Sequence, residues 1–334
     1  MFNKKIGIDL GTTNCMVYLQ DKGVVLNEPT MVAVSVFDKK VVAVGNEAKE
    51  MLGKTPKNIM ALNPIVNGVI ADYEITKIML RYFIQKVCGR SMLFKPEVLV
   101  CISAGSSQVE RRAVEDCMIA SGAGVVYIIS KPLASAIGAG IPIGEASGSM
   151  VLDMGGGASE AAVISLGGIV SSELVRVGGK TLDDSLALYI KKKYGLLIGL
   201  ASAEKIKLEI GSAIKVNREK KVIIKGRNVM TGLPKKMEIR TNEIADCFRP
   251  GLLKILKMLF KVLEKVPPEL SSDIIDKGLV MTGGASELWN ADKWLAKELG
   301  FPCYCAEDAE FCVAKGIGVV LENLMDYKKS LGRR

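Results

Sequence analysis

The sequence predicts an α/β fold made of two related halves, and three observations carry that reading. The segment Ile8-Asp9-Leu10-Gly11-Thr12 returns as Leu152-Asp153-Met154-Gly155-Gly156, 144 residues later. Each copy is an apolar run, an Asp, an apolar residue, glycine with small residues, and then a second strand. Around the copies, buried apolar strands alternate with amphipathic helices. At 334 residues the chain has room for two domains of ordinary size.

The first half opens within Lys5–Leu19 as an apolar strand, a glycine turn and a second strand rich in β-branched and apolar residues. Strands follow at Gly23–Asn27 and Met31–Val36, around a turn at Glu28-Pro29-Thr30. Asn46–Leu52 reads as a short helix, and Ile75–Cys88 carries apolar residues at helical spacing. Val98–Ser103 is a buried strand, Gln108–Ser121 a helix and Val125–Ile129 another buried strand. Pro132–Gly140 is a helix whose small residues permit close packing. The pattern then restarts: strands within Met150–Glu160, at Ala162–Ser165 and at Ile169–Leu174, then a helix Asp183–Lys193 capped by Thr181. A helix at Ala201–Ile210 and strands at Lys221–Lys225 and Lys236–Arg240 come next. Asn242–Val266 reads as a long helix that Pro250 either kinks or splits. Gly278–Met281 is a buried strand ending in Thr282-Gly283-Gly284-Ala285, and Ala291–Leu299 and Ala314–Met325 are helices.

Composition narrows the chemistry. There is no histidine, which excludes Ser-His-Asp and Cys-His catalysis, His-ligated zinc and imidazole acid–base work. Of the eight cysteines none forms a CxxC pair; they are read as reduced core residues. Mean hydropathy is high at +0.26. Charge-free stretches reach only about 14 residues, as in Cys117–Ser130 and Asn58–Ala71, against roughly 20 for a membrane span. The N-terminus lacks the apolar core of a signal peptide, so a cytosolic protein is expected. The net charge of +9 concentrates in Lys215–Lys225, Lys235-Lys236 and Lys328–Arg334. It reads as solvated surface or as attraction to an anionic surface. No basic stretch carries interleaved aromatics, so nucleic acid is not expected as a partner.

The glycine turns carry the site. A turn of Gly and Thr aims several backbone amides at one point, a geometry that binds phosphate, with the hydroxyls of Thr12 and Thr13 as added donors. Asp9 and Asp153 precede the two turns. A carboxylate beside phosphate requires a cation between them, which implies Mg²⁺. Neither a Walker A nor a GxGxxG pattern is present. Two facing loops clamping phosphates, with Gly283-Gly284-Ala285 as a third turn, predict a nucleotide held between two domains.

These residues resemble the ATPase superfamily shared by actin, sugar kinases and the heat-shock 70 chaperones. The opening IGIDLGTTN alone suits the chaperones equally well. The resemblance narrows to the bacterial actin family MreB through NEPT (27–30), VGNEAKEMLGKTP (44–56), NGVIADYEI (67–75), VERRAVEDC (109–117), DMGGGASEAAVISLGGIV (153–170), AEKIKLEIG (203–211), TGLPKK (231–236), PPELSSDIIDKGLVMTGGAS (267–286) and VAKGIGVVLEN (313–323). It covers essentially the whole chain. It implies an actin-like ATPase fold of two RNase-H-like domains, each with a smaller subdomain. The expected boundaries are 1–145 plus 310–334, with a small subdomain near 33–75, and 146–309, with a small subdomain near 181–243. Carried over by position, Asp9 and Asp153 act on Mg²⁺ through water. Gly11, Thr12, Thr13, Asn14, Gly155, Gly156, Gly157 and Ala158 hold phosphates. Glu204 and Lys207 flank ribose and base, where spacing alone would read a surface i, i+3 ion pair. Gly283, Gly284, Ala285 and Ser286 line the adenosine. The family polymerises into paired protofilaments that support cell shape on the inner membrane face. Met92-Leu93-Phe94 fits its apolar membrane loop, the other reading being that Leu93 and Phe94 fill an interdomain core.

Two departures touch the chemistry. The family helix that begins Glu-Pro-Met-Ala-Ala-Ala-Ile-Gly carries the Glu that polarises water; here it is Lys131-Pro132-Leu133-Ala134-Ser135-Ala136-Ile137-Gly138. The family loop Gly-Gly-Gly-Thr-Thr-Glu is here Gly155-Gly156-Gly157-Ala158-Ser159-Glu160, one hydroxyl short. ATP binding with slow hydrolysis is the expectation, with Asp153 left to orient water. Lys131 is expected to pair with phosphate or a carboxylate, the bland alternative being that it points to solvent. Such a chain resembles the divergent family copies of wall-less helical, Spiroplasma-type bacteria, and other paralogues are expected partners beside itself. Three other readings stay open: a plasmid-partitioning actin, a small-molecule kinase, and a chaperone ATPase domain. The last is set back by the expectation that no peptide-binding domain follows Arg334.

Overall fold

The computed structural model describes residues 4–53, 58–89, 95–327 and 331–333. Met92-Leu93-Phe94 and most of the basic tail therefore lie outside the described residues.

Two sheets organise the chain, and their strand orders correspond. In the first, Lys5–Leu10 pairs antiparallel with Asn14–Leu19, which pairs with Gly23–Pro29. On its other side lie the parallel strands Glu97–Ile102 and Val125–Ser130, then the short Gly332–Arg333. In the second, Ser149–Met154 pairs antiparallel with Ser159–Ser165, which pairs with Gly168–Val175; the parallel strands Leu279–Thr282 and Cys303–Cys305 lie on the other side. The repeat in sequence is thus a repeat in topology. Asp9 and Asp153 stand at equivalent strand ends.

Smaller sheets extend each half. Val32–Ser35 is flanked by Val41–Val44 and Ile59–Leu62, and the separate hairpin Ile65–Val66/Val69–Ile70 follows and touches helix Gln108–Ala120. In the second half, Leu196–Leu197, Lys221–Asn228 and Pro234–Arg240 form one sheet.

The two halves share a core. Helix Cys312–Glu322 lies on the first sheet and helix Lys131–Gly138 on the second, and the two cross between them. Leu99, Ile129, Leu133, Val151, Ala162 and Ile317 meet there, all buried. The crossing brings backbone against backbone: a Cβ on Gly138 would land on the carbonyl of Cys312, and one on Gly316 on that of Ala134.

Several expectations are corrected. Thr241–Leu263 is one helix with Pro250 inside it, not two. A proline there costs about 3 kcal/mol. Phe248, Leu252, Ile255 and Leu259, all buried, flank it on both sides, and each contributes about 1.5–3 kcal/mol. The helix expected from Asp183 starts at Gly179, with Gly178 rather than Thr181 at its cap. The cause is tertiary: Gly179 N and Lys180 N donate to the carbonyls of Gly155 and Gly156, at 3.0 and 2.8 Å. Strand Gly23–Pro29 runs through most of the expected turn. Helix Pro268–Lys277 is new; its first proline reads as a breaker yet suits the first turn. All eight cysteines are free, but Cys305 is exposed and Cys88 and Cys247 are half-buried.

Candidate functional site

A cavity of about 560 Å³ opens between the halves, a size suited to a cofactor-like ligand. It is lined by Asp9, Gly11, Thr12, Thr13, Asn14, Lys131, Asp153, Gly155, Gly156, Gly157, Ala158, Glu204, Lys207, Gly283, Gly284 and Ala285. Among the site residues named from the sequence that lie in the described chain, Ser286 alone does not line it. Ser286 is buried and donates its hydroxyl to Gly283 O at 2.7 Å.

The floor is built from the two strand ends. Asp9 lies beside Cys101 in the parallel register, and Cys101 Sγ donates to Asp9 Oδ1 at 3.1 Å. Asp153 lies beside Thr282 in the same way, and Thr282 Oγ1 donates to Asp153 Oδ1 at 3.3 Å. Thr282 also meets Ser135 Oγ at 2.5 Å, which ties the helix carrying Lys131 to this floor. Lys131 sits at the start of that helix, with Pro132 in its first turn. Its ammonium lies 3.6 Å from Asp9 Oδ1 and 3.6 Å from Asp153 Oδ2. Burial works against that charge, but the carboxylates of Asp9 and Asp153 outweigh it and hold Lys131 above the ordinary lysine value. Burial lifts Asp153, with Lys131 partly offsetting it.

Above the floor the two loops interlock. Cβ atoms on Gly156 and Gly157 would overlap Thr13 and Thr12, so the second loop's glycines make room for the first loop's threonines. Thr12 Oγ1 accepts from Gly68 N at 2.8 Å, which brings the tip of the Ile65–Ile70 hairpin onto the loop. Thr13 Oγ1 is buried with no hydrogen-bond partner. Leaving it so costs about 1–3 kcal/mol, and a ligand oxygen would satisfy it. The cradle thus fits a phosphate chain.

Lys180, Asp183, Glu310 and Glu160 also line the cavity, and sequence reasoning singled out none of them. Lys180 reaches across the cleft to Thr12 O at 3.0 Å, and burial lowers its pKa. Asp183 pairs with Lys207 at 2.8 Å, and Lys207 also donates to Gly179 O at 3.1 Å. The i, i+3 pair of Glu204 with Lys207 is therefore absent; Glu204 instead lies 4.0 Å from Lys49 of helix Asn46–Met51. Glu310 accepts from Asn14 Nδ2 at 3.1 Å. Glu160, 3% exposed, accepts from Ser103 Oγ at 2.9 Å and Ala104 N at 2.6 Å, and burial pushes its carboxyl up to about 7. Its signal was present in the sequence: a residue directly opposite Asp153 in a hairpin shares its face.

The donor set does not fit a resident divalent ion as it would with two free carboxylates. Asp9 and Asp153 face each other at the right place, but one ammonium already lies between them. Among the described residues, no three His, Cys, Asp or Glu side chains converge to hold a metal.

The comparisons with known proteins agree with this geometry. The MreB/Mbl protein family model matches residues 3–329. The chain is 46% identical to the cell shape-determining protein MreB of Escherichia coli K12 over 327 residues, covering 96% of this chain and 94% of that protein. It is 42% identical to the cell shape-determining protein Mbl of Bacillus subtilis 168, covering 97% of each. Among solved structures, MreB5 of Spiroplasma citri bound to ADP superposes with a TM-score of 0.93 at 33% identity, covering 98% of both chains. The MamK double helical filament matches at 0.81 and 17% identity, a likeness of fold alone. With the family model spanning nearly the whole chain and relatives above 40% identity over 94–97% of both chains, the chain belongs to the MreB/Mbl family.

Proposed function

We propose that this chain is an actin-like cytoskeletal protein that binds ATP between its halves and polymerises with itself into filaments serving cell shape or motility. The observation that carries the reading is the pair of interlocked Asp–glycine loops on equivalent strand ends, with the unpartnered Thr13 hydroxyl aimed among them. The solved relative from Spiroplasma citri, in ADP- and AMPPNP-bound forms, supports a nucleotide there. In this reading Gly11 to Asn14 and Gly155 to Ala158 receive phosphates, and Glu204, Lys207, Gly283, Gly284 and Ala285 line the nucleoside side. The domains divide at 145/146, with 310–334 returning to the first. Any Mg²⁺ accompanying the nucleotide would approach Asp9 and Asp153 past the Lys131 ammonium.

Hydrolysis is weak in this reading. A carboxylate can accept the proton of an attacking water; a lysine held charged cannot. Ala158 removes one positioning hydroxyl as well. Asp153 remains to orient water. No helix of the described residues is long and apolar enough to cross a membrane. Contact with an anionic membrane face from the cytoplasmic side falls to Met92-Leu93-Phe94 or the basic tail, and other family copies are candidate co-polymers.

Sedimentation and negative-stain microscopy with ATP test the main reading. Paired straight filaments are expected, and a strictly monomeric protein sinks it. Phosphate release should rise at least about tenfold on the double change Lys131→Glu/Ala158→Thr, since such groups contribute 10²–10⁴-fold.

A further inference from the structure

We propose that Lys131 is a built-in counter-cation: its ammonium occupies the place between Asp9 and Asp153 that a divalent ion would otherwise fill, so that this chain binds nucleoside triphosphate with little need for Mg²⁺. The inference rests on the nucleotide reading above.

Asp9 and Asp153 are 7% and 3% exposed and stand at equivalent ends of two sheets. Two carboxylates so placed repel a triphosphate unless a cation intervenes. One does: Lys131 Nζ lies 3.6 Å from an oxygen of each. The ammonium is not there by the drift of a long side chain. It stands at the first position of a helix whose next four residues, Pro132 to Ser135, are all buried. That helix is anchored through Ser135 and Thr282 to the strand beside Asp153. The other two ammoniums lining the cavity have other partners, Lys180 on Thr12 O and Lys207 on Asp183 and Gly179 O. Lys131 is thus the cation placed between the paired carboxylates. A divalent ion bound at the same carboxylates would meet like charge at salt-bridge range, which weakens its hold.

The site also makes geometric sense for a triphosphate. The ammonium carries three donors. At 3.6 Å it makes ion pairs with both carboxylates, and its donors remain available to a phosphate oxygen coming down between the loops. The cation arrives with the fold instead of with the ligand.

The test is equilibrium binding of a fluorescent ATP analogue to the whole chain, in Mg²⁺ and in EDTA. Wild type should change its Kd less than about threefold between the two conditions. Lys131→Glu should lose at least about tenfold in EDTA and recover in Mg²⁺. Lys131→Met, which keeps the stem and removes the charge, should also become dependent on Mg²⁺, and it serves if the glutamate variant fails to fold. If wild type binds in Mg²⁺ and loses tenfold or more in EDTA, the inference is overturned while the nucleotide reading stands. If wild type binds in neither condition, both fall.

Discussion

Asp9 is followed by Thr12 and Thr13, Asp153 by Gly156 and Gly157. The two loops leave equivalent strands in sheets of the same order, yet the first supplies hydroxyls and the second supplies space. The residues around each Asp differ in the same complementary way. In the parallel neighbour strand, Asp9 receives a thiol from Cys101, and Asp153 receives a hydroxyl from Thr282. Across the hairpin, Asp9 faces Met16, and Asp153 faces Glu160. A duplicated frame can keep its backbone plan while its two copies divide the polar work. The first copy then has an apolar side chain across from its Asp, and the second holds an extra titratable group.

Three measurements bear on that asymmetry. The largest effect should come from Glu160, the group with no counterpart in the first half. Its ordinary value is 4.5, and burial raises it to about 7 in the fold. Between those pH values the folded chain keeps a proton that the unfolded chain has lost. Stability therefore falls as pH rises through this window, by about 3 kcal/mol in total. Glu160→Gln keeps an acceptor for Ser103 and Ala104 and should flatten the descent in urea melts of the ligand-free protein. An unchanged slope would remove Glu160 as its source.

Next comes the interlock. Gly156→Ala puts a Cβ onto the Thr13 hydroxyl and should cost about 2 kcal/mol as overpacking. Adding Thr13→Gly should recover most of it. If the second change recovers nothing, the loops do not lean on each other as described.

The smallest effect separates thiol from hydroxyl. Thr282→Val leaves both Asp153 and Ser135 short of a partner and should cost about 1 kcal/mol by thermal melting. Cys101→Val removes a weaker donor and should cost roughly half that. Equal costs would show the two supports to be equivalent.

Much of this architecture was legible in the sequence because it rests on local patterns. The recurring Asp–apolar–Gly run marked both strand ends, and apolar runs marked the strands beside them. What stayed hidden depends on distant partners. The start of helix Gly179–Tyr194 is set by carbonyls of Gly155 and Gly156. Pro250 sits in a continuous helix because residues on both sides of it are buried. Lys131 was visible as a substitution, but the place of its ammonium needed two strand ends from different halves. Lys180 and Glu310 contribute through contacts 168 and 296 residues away in the chain, which no local spacing reveals.

The crossing of Lys131–Gly138 with Cys312–Glu322 leaves no room even for a methyl group at Gly138 or Gly316. Mechanically it is a bearing without play. Two helices pressed backbone to backbone there leave no gap for either to settle into. Lys131 stands at the far end of one of them, seven residues or about 10 Å from Gly138 at 1.5 Å per residue. The helix that sets the Lys131 ammonium on the two carboxylates is thus the same helix that seats the two sheets against each other.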